Sequence, residues 1–154
     1  MSTTTRSTGA LTAARAQIDP RGARFAATLT AVVLAVALLA APSALTVGLL
    51  AVQTVVFGIG AASGVQRTPY AWVFRTLVRP RLGPPGDLED AAPPRFAHSV
   101  GLAFALLALA GYLTGADLLG AVATGFALAA AVLNAAFGFC LGCEVYLLVR
   151  RALD

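Results

Sequence analysis

The sequence is poor in charged and chemically reactive side chains. Only 12% of its 154 residues are charged, about half the share found in an ordinary soluble domain. It contains no lysine, a single histidine and two cysteines. The shortage of charge excludes a disordered chain, a coiled coil and most soluble enzymes. Two cysteines are also too few for a disulfide-stapled scaffold.

Motifs of the large nucleotide-binding and hydrolytic families are missing as well. The sequence has no P-loop, no dinucleotide-binding glycine fingerprint, no zinc-protease helix and no serine-hydrolase elbow, so it gives no support to those activities. The net charge of +4 could indicate a nucleic-acid partner, but that function needs a basic face on a soluble module. The arginines lie between apolar blocks, and we therefore expect no nucleic-acid partner.

Apolar residues dominate the chain, at 58% of its length. They form four blocks that we predict as membrane spans at about 25–41, 44–62, 96–113 and 118–139. A span needs about 20 apolar residues, and in hydrocarbon each must be a helix because no water satisfies exposed backbone groups. The sequence therefore predicts an all-α integral membrane four-helix bundle, a multi-pass protein of the cell membrane with the lipid bilayer as its partner.

The basic residues define one orientation for these spans. All eleven are arginine, and they lie before the first block, between the second and third, and after the fourth. The two short turns near 42–43 and 114–117 contain none. By the positive-inside rule, both termini and the central loop are cytoplasmic. About 24 residues precede the first block, more than in a usual secretory leader, so we expect the block to be kept as a span.

The segments outside the spans differ in character. Residues 1–17 are small and polar and are predicted to form a mobile cytoplasmic tail before the membrane domain 18–154. The segment 69–78 mixes aromatic side chains with arginine, which is typical of a helix lying in the membrane interface. The stretch 79–94 holds five prolines and is predicted to be an extended linker. Residues 145–154 are predicted to form a C-terminal interfacial tail.

Two patterns bear on how the spans pack. Arg24-Phe25 opens the first block and Arg95-Phe96 opens the third, as two repeated helical hairpins would show. Alanine-rich sequence also resembles itself through composition alone, so duplication and coincidence both stay open. Pairs of glycines spaced four apart are predicted to let helix backbones approach closely. These pairs are Gly60 and Gly64, Gly111 and Gly115, and Gly138 and Gly142.

The fourth block is too long for one crossing. From 118 to 149 it has 32 residues, about 48 Å of straight helix against a hydrocarbon core of about 30 Å. We expect a break near Gly138, which places Cys140 and Cys143 close to the cytoplasmic boundary. Cysteines three apart on a helical turn lie within reach of a disulfide, and a helix N-terminus stabilises a thiolate. Cys140 is therefore predicted as the attacking thiol and Cys143 as the resolving thiol.

Two ionisable residues lie near the pair. Glu144 follows Cys143 directly and is a candidate proton acceptor, although a solvated or arginine-paired carboxylate fits the pattern equally well. His98, the single histidine, belongs to the cytoplasmic end of the third span at the same depth, where it could promote thiolate formation. Asn134 and Gln53 are expected to hydrogen-bond neighbouring helices.

Three interpretations fit the C-x-x-C pair. Buried cysteines in an apolar helix could be inert. A metal site would need two further ligands, for which only His98 and Glu144 are at hand. Redox or sulfur-relay thiols match the spacing best. We adopt the third interpretation, with Cys140, Cys143, Glu144 and His98 as the catalytic residues and no metal.

The chain resembles a known family. The opening Ile18–Gly22, the pair Arg24-Phe25 and the closing Gly138–Glu144 are similar to DUF4395, an uncharacterised bacterial membrane family common in actinobacteria. The resemblance covers nearly the whole chain after the tail. Members often occur beside, or fused to, thioredoxin-like or sulfurtransferase proteins, which implies thiol or sulfane-sulfur chemistry and a partner of that kind.

The four-helix shape with a C-x-x-C pair in its last helix is also similar to quinone-linked, disulfide-generating membrane proteins. Those proteins work on the extracytoplasmic side and carry a second cysteine pair, which this chain lacks. We predict a membrane thiol–disulfide or sulfur-relay protein that works with a thioredoxin-like or rhodanese-like partner, with a quinone or a small thiol as acceptor. The alternative is a non-enzymatic membrane anchor or small transporter subunit whose cysteines are structural.

Overall fold

A computed structural model describes residues 16–154, which are almost entirely helical. The helices are α1 (Pro20–Leu39), α2 (Ala44–Ser63), α3 (Pro69–Val73), α4 (Ala92–Leu113), α5 (Asp117–Phe137) and α6 (Leu141–Leu153). Two short strands, β1 (Gln17–Ile18) and β2 (Glu89–Asp90), pair antiparallel. Helices α1, α2, α4 and α5 are long and apolar enough to cross a membrane. The prediction of an all-helical protein with four potential spans is confirmed.

The four long helices form a closed ring in which each packs against two others. Helix α1 contacts α2 and α5, and helix α4 contacts the same two from the opposite corner. Sequence neighbours in the ring run antiparallel, because tight turns join α1 to α2 and α4 to α5. The core between them is built of leucine and alanine: Leu34, Ala37, Leu50, Ala108, Ala123 and Ala127. Small alanines let the backbones approach, which dispersion packing inside a bilayer requires.

Polar caps fix where several helices begin. Asp19 caps α1, and its carboxylate accepts the backbone N–H of Arg21 at 3.0 Å. Ser43 caps α2 by accepting the N–H of Thr46 at 3.3 Å. Thr68 caps α3 in the same way. A proline follows Asp19 and Thr68 directly, where its missing N–H costs nothing.

Several helix bounds differ from the predicted spans. Helix α1 begins at Pro20 rather than near residue 25, and α4 begins at Ala92 rather than near 96. The reason at α4 is that Pro93 and Pro94 lie in its first turn, where proline is favoured. The predicted linker 79–94 therefore ends three residues early, at residue 91.

The predicted interfacial segment is a compact, partly buried unit. Helix α3 continues into a π-helical turn, Phe74–Val78, and a 3-10 turn, Arg79–Arg81. Phe74 is 4% exposed, and its ring lies 5.8 Å from that of Phe25. It also covers Gly22, where a Cβ would come within 3.0 Å of the ring. The segment is thus anchored on the start of α1.

The end of the predicted tail is held in place. Gln17 pairs with Asp90 and Ile18 with Glu89, and the backbone N–H of Ala91 donates to the carbonyl of Ala16 at 2.9 Å. The prediction of a mobile tail over 1–17 is therefore wrong at its last two residues, because the strand pair satisfies their backbone groups. Residues 1–15 of that tail lie outside the described residues.

Two arginines close the ring by reciprocal contacts. Arg24, at the start of α1, donates from Nη2 to the carbonyls of Ala135 and Ala136 at 3.3 Å. Arg95, at the start of α4, donates from Nε to Ala61 at 2.8 Å and from Nη2 to its neighbouring carbonyl at 2.7 Å. Each arginine thus covers the free C-terminal carbonyls of the other hairpin's second helix. The matching roles favour the interpretation of the chain as two repeated hairpins.

The two members of each glycine pair occupy different kinds of position. One member of each lies at a close helix contact: Gly60 against His98, Gly111 against the backbone of Gly120, and Gly142 against Ala97. The other member has a positive φ at a helix end or turn: Gly64, Gly115 and Gly138. The expectation that both members pack is wrong, because α2 and α4 end inside the first two pairs and α5 ends just before the first member of the third.

The arginine contacts predict a specific loss of stability. Arg95→Ala and Arg24→Ala should each lower the free energy of unfolding by about 1–2 kcal/mol, because two carbonyls lose charged donors at the membrane edge. Arg67→Ala is the matched control, since Arg67 is exposed at the same end and should change little. Unfolding by sodium dodecyl sulfate, followed by circular dichroism, measures the difference. Equal losses in all three variants would contradict the capping role.

The cap of α1 predicts a pH-dependent effect. The hydrogen bond from the Arg21 guanidinium lowers the pKa of Asp19, so the charged carboxylate stabilises the folded state at neutral pH. This contribution disappears as the pH falls through the lowered pKa. Asp19→Ala should cost about 1 kcal/mol at neutral pH, and the difference from the parent protein should shrink in acid. The exposed loop residue Asp87, changed to Ala, is the control in the same unfolding assay; a pH-independent loss at Asp19 would contradict this account.

Candidate thiol–disulfide site

The long fourth block breaks at Gly138, as predicted. Helix α5 ends at Phe137, and Gly138 adopts φ 67°, the left-handed conformation that glycine accepts without steric cost. The N–H of Gly138 donates to the carbonyl of Asn134 at 3.0 Å, and the N–H of Phe139 donates to that of Leu133 at 3.3 Å. This pair of bonds is the usual glycine stop of a helix. The chain is thereby redirected into α6.

Cys140 and Cys143 lie at the start of that new helix and form a disulfide. Their Cα atoms are 5.2 Å apart, within the range that the bond requires. Cys140 is the N-cap of α6, and its Sγ accepts the backbone N–H of Cys143 at 3.2 Å. Both residues are partly exposed. The break expected near Gly138 therefore makes Cys140 the first residue of a new helix terminus.

Close packing on α4 sets the position of the disulfide. A Cβ on Gly142, between the two cysteines, would lie 2.6 Å from that of Ala97, so only glycine allows this approach. One turn later the rings of Phe96 and Tyr146 are 5.7 Å apart. The helix that carries the disulfide therefore lies against the first turns of α4.

His98 is held in a defined orientation. Its Nδ1 lies 3.1 Å from the carbonyl oxygen of Pro94, which can only accept, so Nδ1 carries the hydrogen and Nε2 of the neutral ring is an acceptor. The ring meets that of Phe57 edge-on at 5.5 Å. It covers Gly60, where a Cβ would be 2.7 Å from the His98 Cγ. The imidazole thus has one nitrogen left for chemistry.

A cavity of about 580 Å³ joins these groups, within the usual size of small-ligand sites. Both cysteines and His98 lie in its wall, and the wall continues into the bundle along α1 and α5. The deeper part is mostly apolar, with three aromatic rings: Phe57, Phe104 and Phe126. One cavity is therefore lined by the sulfur pair, by a histidine and by a largely apolar inner wall.

One chain of hydrogen bonds reaches the cavity from the side. The hydroxyl of Tyr70, in α3, donates to Oε1 of the fully buried Gln53 at 2.9 Å. Nε2 of Gln53 lies 3.4 Å from Oγ1 of Thr30, to which it can donate. Thr30 is a wall residue of the cavity. Gln53 therefore bonds neighbouring helices as expected.

The other two polar predictions come out differently. Glu144 is exposed in the first turn of α6 and is not part of the cavity wall. Asn134 lies in the wall, and its side chain makes no described contact with another helix. In the described part of the chain, no group of three or more histidine, cysteine, aspartate or glutamate residues is placed to hold a metal ion.

Sequence reasoning missed the chamber behind the cysteines. Thr30, Phe104 and Phe126 carry no local motif, because each is one residue in an apolar run. The only available signal was Thr30 itself, a hydroxyl in the middle of a predicted span. Its pairing with Gln53 across two helices could not be read from spacing.

One comparison with known proteins gives a match. Residues 18–151 match the family model described as a domain of unknown function, DUF4395. No curated protein and no solved structure matches the chain. The match spans both hairpins and the disulfide helix, and the chain belongs to the DUF4395 family.

Proposed function

We propose that the chain is a membrane thiol–disulfide exchange protein whose cysteine pair cycles between disulfide and dithiol. The observation that carries this proposal is the disulfide at the N-cap of α6, in the wall of a cavity that is also lined by His98. A purely structural disulfide needs neither a cavity nor a proton acceptor. The partner is a thioredoxin-like protein, or a rhodanese-like protein if the pair relays sulfur.

The exchange proceeds through Cys140. A thiolate of the partner attacks the Cys140 sulfur, the Cys140–Cys143 bond breaks, and Cys143 leaves as a thiolate. The partner's second thiol then attacks the mixed disulfide and releases Cys140, so the partner is oxidised and the pair is reduced by two electrons. The N–H groups at the start of α6 stabilise the Cys140 thiolate. His98, which lines the same cavity, accepts or returns the proton through Nε2.

The same cysteine pair is also suited to a sulfur relay. The Cys140 thiolate attacks the outer sulfur of a partner's persulfide, takes that sulfur and releases the partner as a thiolate. Cys143 then attacks the Cys140 sulfur, which forms the disulfide and expels hydrosulfide. The geometry that supports this step is the 5.2 Å Cα separation, which keeps Cys143 within reach of Cys140.

We propose the orientation in which both termini face the cytoplasm. Arg24 and Arg95 lie at the same end of the ring as Arg150 of α6 and the α3 segment, whereas the two opposite turns contain no basic residue. The positive-inside rule assigns the arginine end to the cytoplasm. Because stable disulfides do not persist in a reducing compartment, one at this face is better explained as an exchanging pair.

Glu144 is proposed to act outside the cavity. Its carboxylate lies in the first turn of α6, where a negative charge favours the helix N-terminus. It directly follows Cys143 on the exposed side, where a docking partner would approach. It therefore steadies the cysteine helix and contributes to the surface that a partner meets.

Trapping tests the order of the two cysteines. Reduced Cys143→Ser, mixed with an oxidised thioredoxin-like protein, should accumulate a mixed disulfide through Cys140, because Cys140 attacks the partner's disulfide and Cys143 is no longer present to release the partner. Cys140→Ser is the matched control and should trap little. Non-reducing gels and intact mass measure the adduct; with a partner that carries a persulfide, a sulfur relay instead leaves Cys140 of Cys143→Ser one sulfur atom heavier, with no protein attached.

A redox titration of the parent protein decides whether the disulfide exchanges electrons or has only a structural role. We expect a reversible two-electron transition between about −300 and −150 mV, followed by alkylation mass shift against dithiothreitol. Trapping on Cys140→Ser alone would reverse the assigned roles. A disulfide that resists reduction, with no adduct in either variant, would contradict the proposed function.

Reporter fusions test the orientation. Green fluorescent protein after Asp154 should fluoresce, and alkaline phosphatase inserted at Gly115 in the opposite turn should be active, since it works only outside the cytoplasm. Alkaline phosphatase after Asp154 is the paired control and should be inactive. The reverse pattern would place the cysteines on the outer face and refute the cytoplasmic partner.

A further inference from the structure

We propose that the cavity behind the disulfide binds a quinone, which exchanges two electrons with the cysteine pair. This inference rests on the proposed thiol–disulfide function. It adds the second reactant, which reaches the pair from the lipid phase while the protein partner reaches it from water. Three observations carry it: the wall of the cavity, the free hydrogen on Thr30, and the shared position of the disulfide and His98.

The wall of the cavity selects an apolar ligand with a flat ring. Beyond the cysteines, the chamber lies within helices that are apolar enough to span a membrane. Phe57, Phe104 and Phe126 line it, and aromatic side chains stack on flat rings. Phe126 is 63% exposed while lining the wall, so the chamber is open at that point. The charged residues of the wall belong to the start of α1 and to the segment between α2 and α4: Asp19, Arg24, Arg75, Arg79 and Glu89. The deeper part of the cavity therefore fits a ligand dissolved in the bilayer better than a charged, water-soluble oxidant.

Thr30 offers the cavity a hydrogen-bond donor. The hydroxyls of Thr28, Thr54 and Thr124 each donate to a carbonyl one turn earlier in their own helix. Thr30 makes no such bond among the described contacts, and its oxygen instead faces Nε2 of Gln53. Its hydrogen is therefore free to point into the chamber. A buried free donor calls for an acceptor oxygen on the ligand, which a quinone carbonyl supplies.

The wall of the cavity holds the groups that transfer of electrons and protons to a quinone requires. Cys140 and Cys143 lie at one end with His98, and Thr30 lies deeper along α1. In the oxidising direction, two S–H bonds break and one S–S bond forms. The two electrons and two protons pass to the quinone, whose carbonyl oxygens become the hydroxyls of a hydroquinone. His98 Nε2 carries a proton between sulfur and oxygen, and no other oxidant is required.

A space-filling pair of variants tests the site. Ala130 lies in the cavity wall, and Ala129 is its exposed neighbour on α5. The probe is a fully substituted benzoquinone with a decyl tail, which has no ring C–H open to thiol addition. Reduced protein in phosphatidylcholine nanodiscs should reduce one quinone per cysteine pair. Ala130→Phe should slow the reduction of the quinone at least tenfold, whereas Ala129→Phe should reduce it at the rate of the parent protein.

A second pair tests the donor without filling the cavity. Thr30→Val removes the hydroxyl at nearly constant volume and should weaken quinone binding roughly fivefold, the equivalent of one hydrogen bond. Thr28→Val is the control on the outer side of α1. Binding is measured by isothermal titration of the oxidised protein with the same quinone. This readout does not depend on the cysteines reacting.

The outcomes separate this inference from the function on which it rests. In every variant, exchange with a soluble dithiol is measured alongside and should stay at the parent rate. Normal exchange without quinone reduction, or equal rates in Ala130→Phe and Ala129→Phe, would refute the quinone site alone. Binding of a tail-only alkane as tightly as the quinone would assign the chamber to a lipid chain and also refute it. Loss of exchange in the parent protein would refute the proposed function itself.

Discussion

The bundle depends on satisfying helix carbonyls at the membrane edge. A helix leaves its last carbonyls without partners, and lipid offers them none. Arg24 and Arg95 meet this need by reaching from the start of one hairpin to the end of the other. These crossed contacts bring the start of α1 to the end of α5 and the start of α4 to the end of α2. The features at the arginine-bearing end, including the break before the cysteines, depend on these contacts between the two hairpins.

The cysteine site follows from this closure and one glycine. Because α5 must end where Arg24 reaches its carbonyls, Gly138 turns the chain and Cys140 becomes the first cap of a new helix. Gly142 then allows α6 to lie directly on Ala97. Backbone geometry thus brings the disulfide into the wall of the same cavity as His98. A bulkier residue at position 142 would push the sulfur pair away from the cavity.

Local features of the sequence predict much of this arrangement. The lengths of the apolar blocks identify the four long helices, and the excess length of the last one correctly predicts the break at Gly138. Pro93 and Pro94 were wrongly predicted to belong to a linker, because proline disrupts the interior of a helix but is favoured in its first turn. The cavity could not be predicted, since wall residues such as Thr30, Phe57 and Phe126 come from different helices and line one space only after the helices have packed. Such contacts depend on helix rotation, which a uniformly apolar sequence leaves undefined.

In the function proposed here, the position of the disulfide lets one bond exchange with reactants from two phases. Its sulfur atoms are partly exposed at the end of the bundle, and their inner side forms the wall of an apolar chamber. A water-soluble partner can approach only the first surface, and a lipid-soluble carrier only the second. Separate approaches prevent the two reactants from meeting directly. Electrons must then pass through the cysteine pair, so a bundle with a single C-x-x-C can couple the two phases without a second cysteine pair of its own.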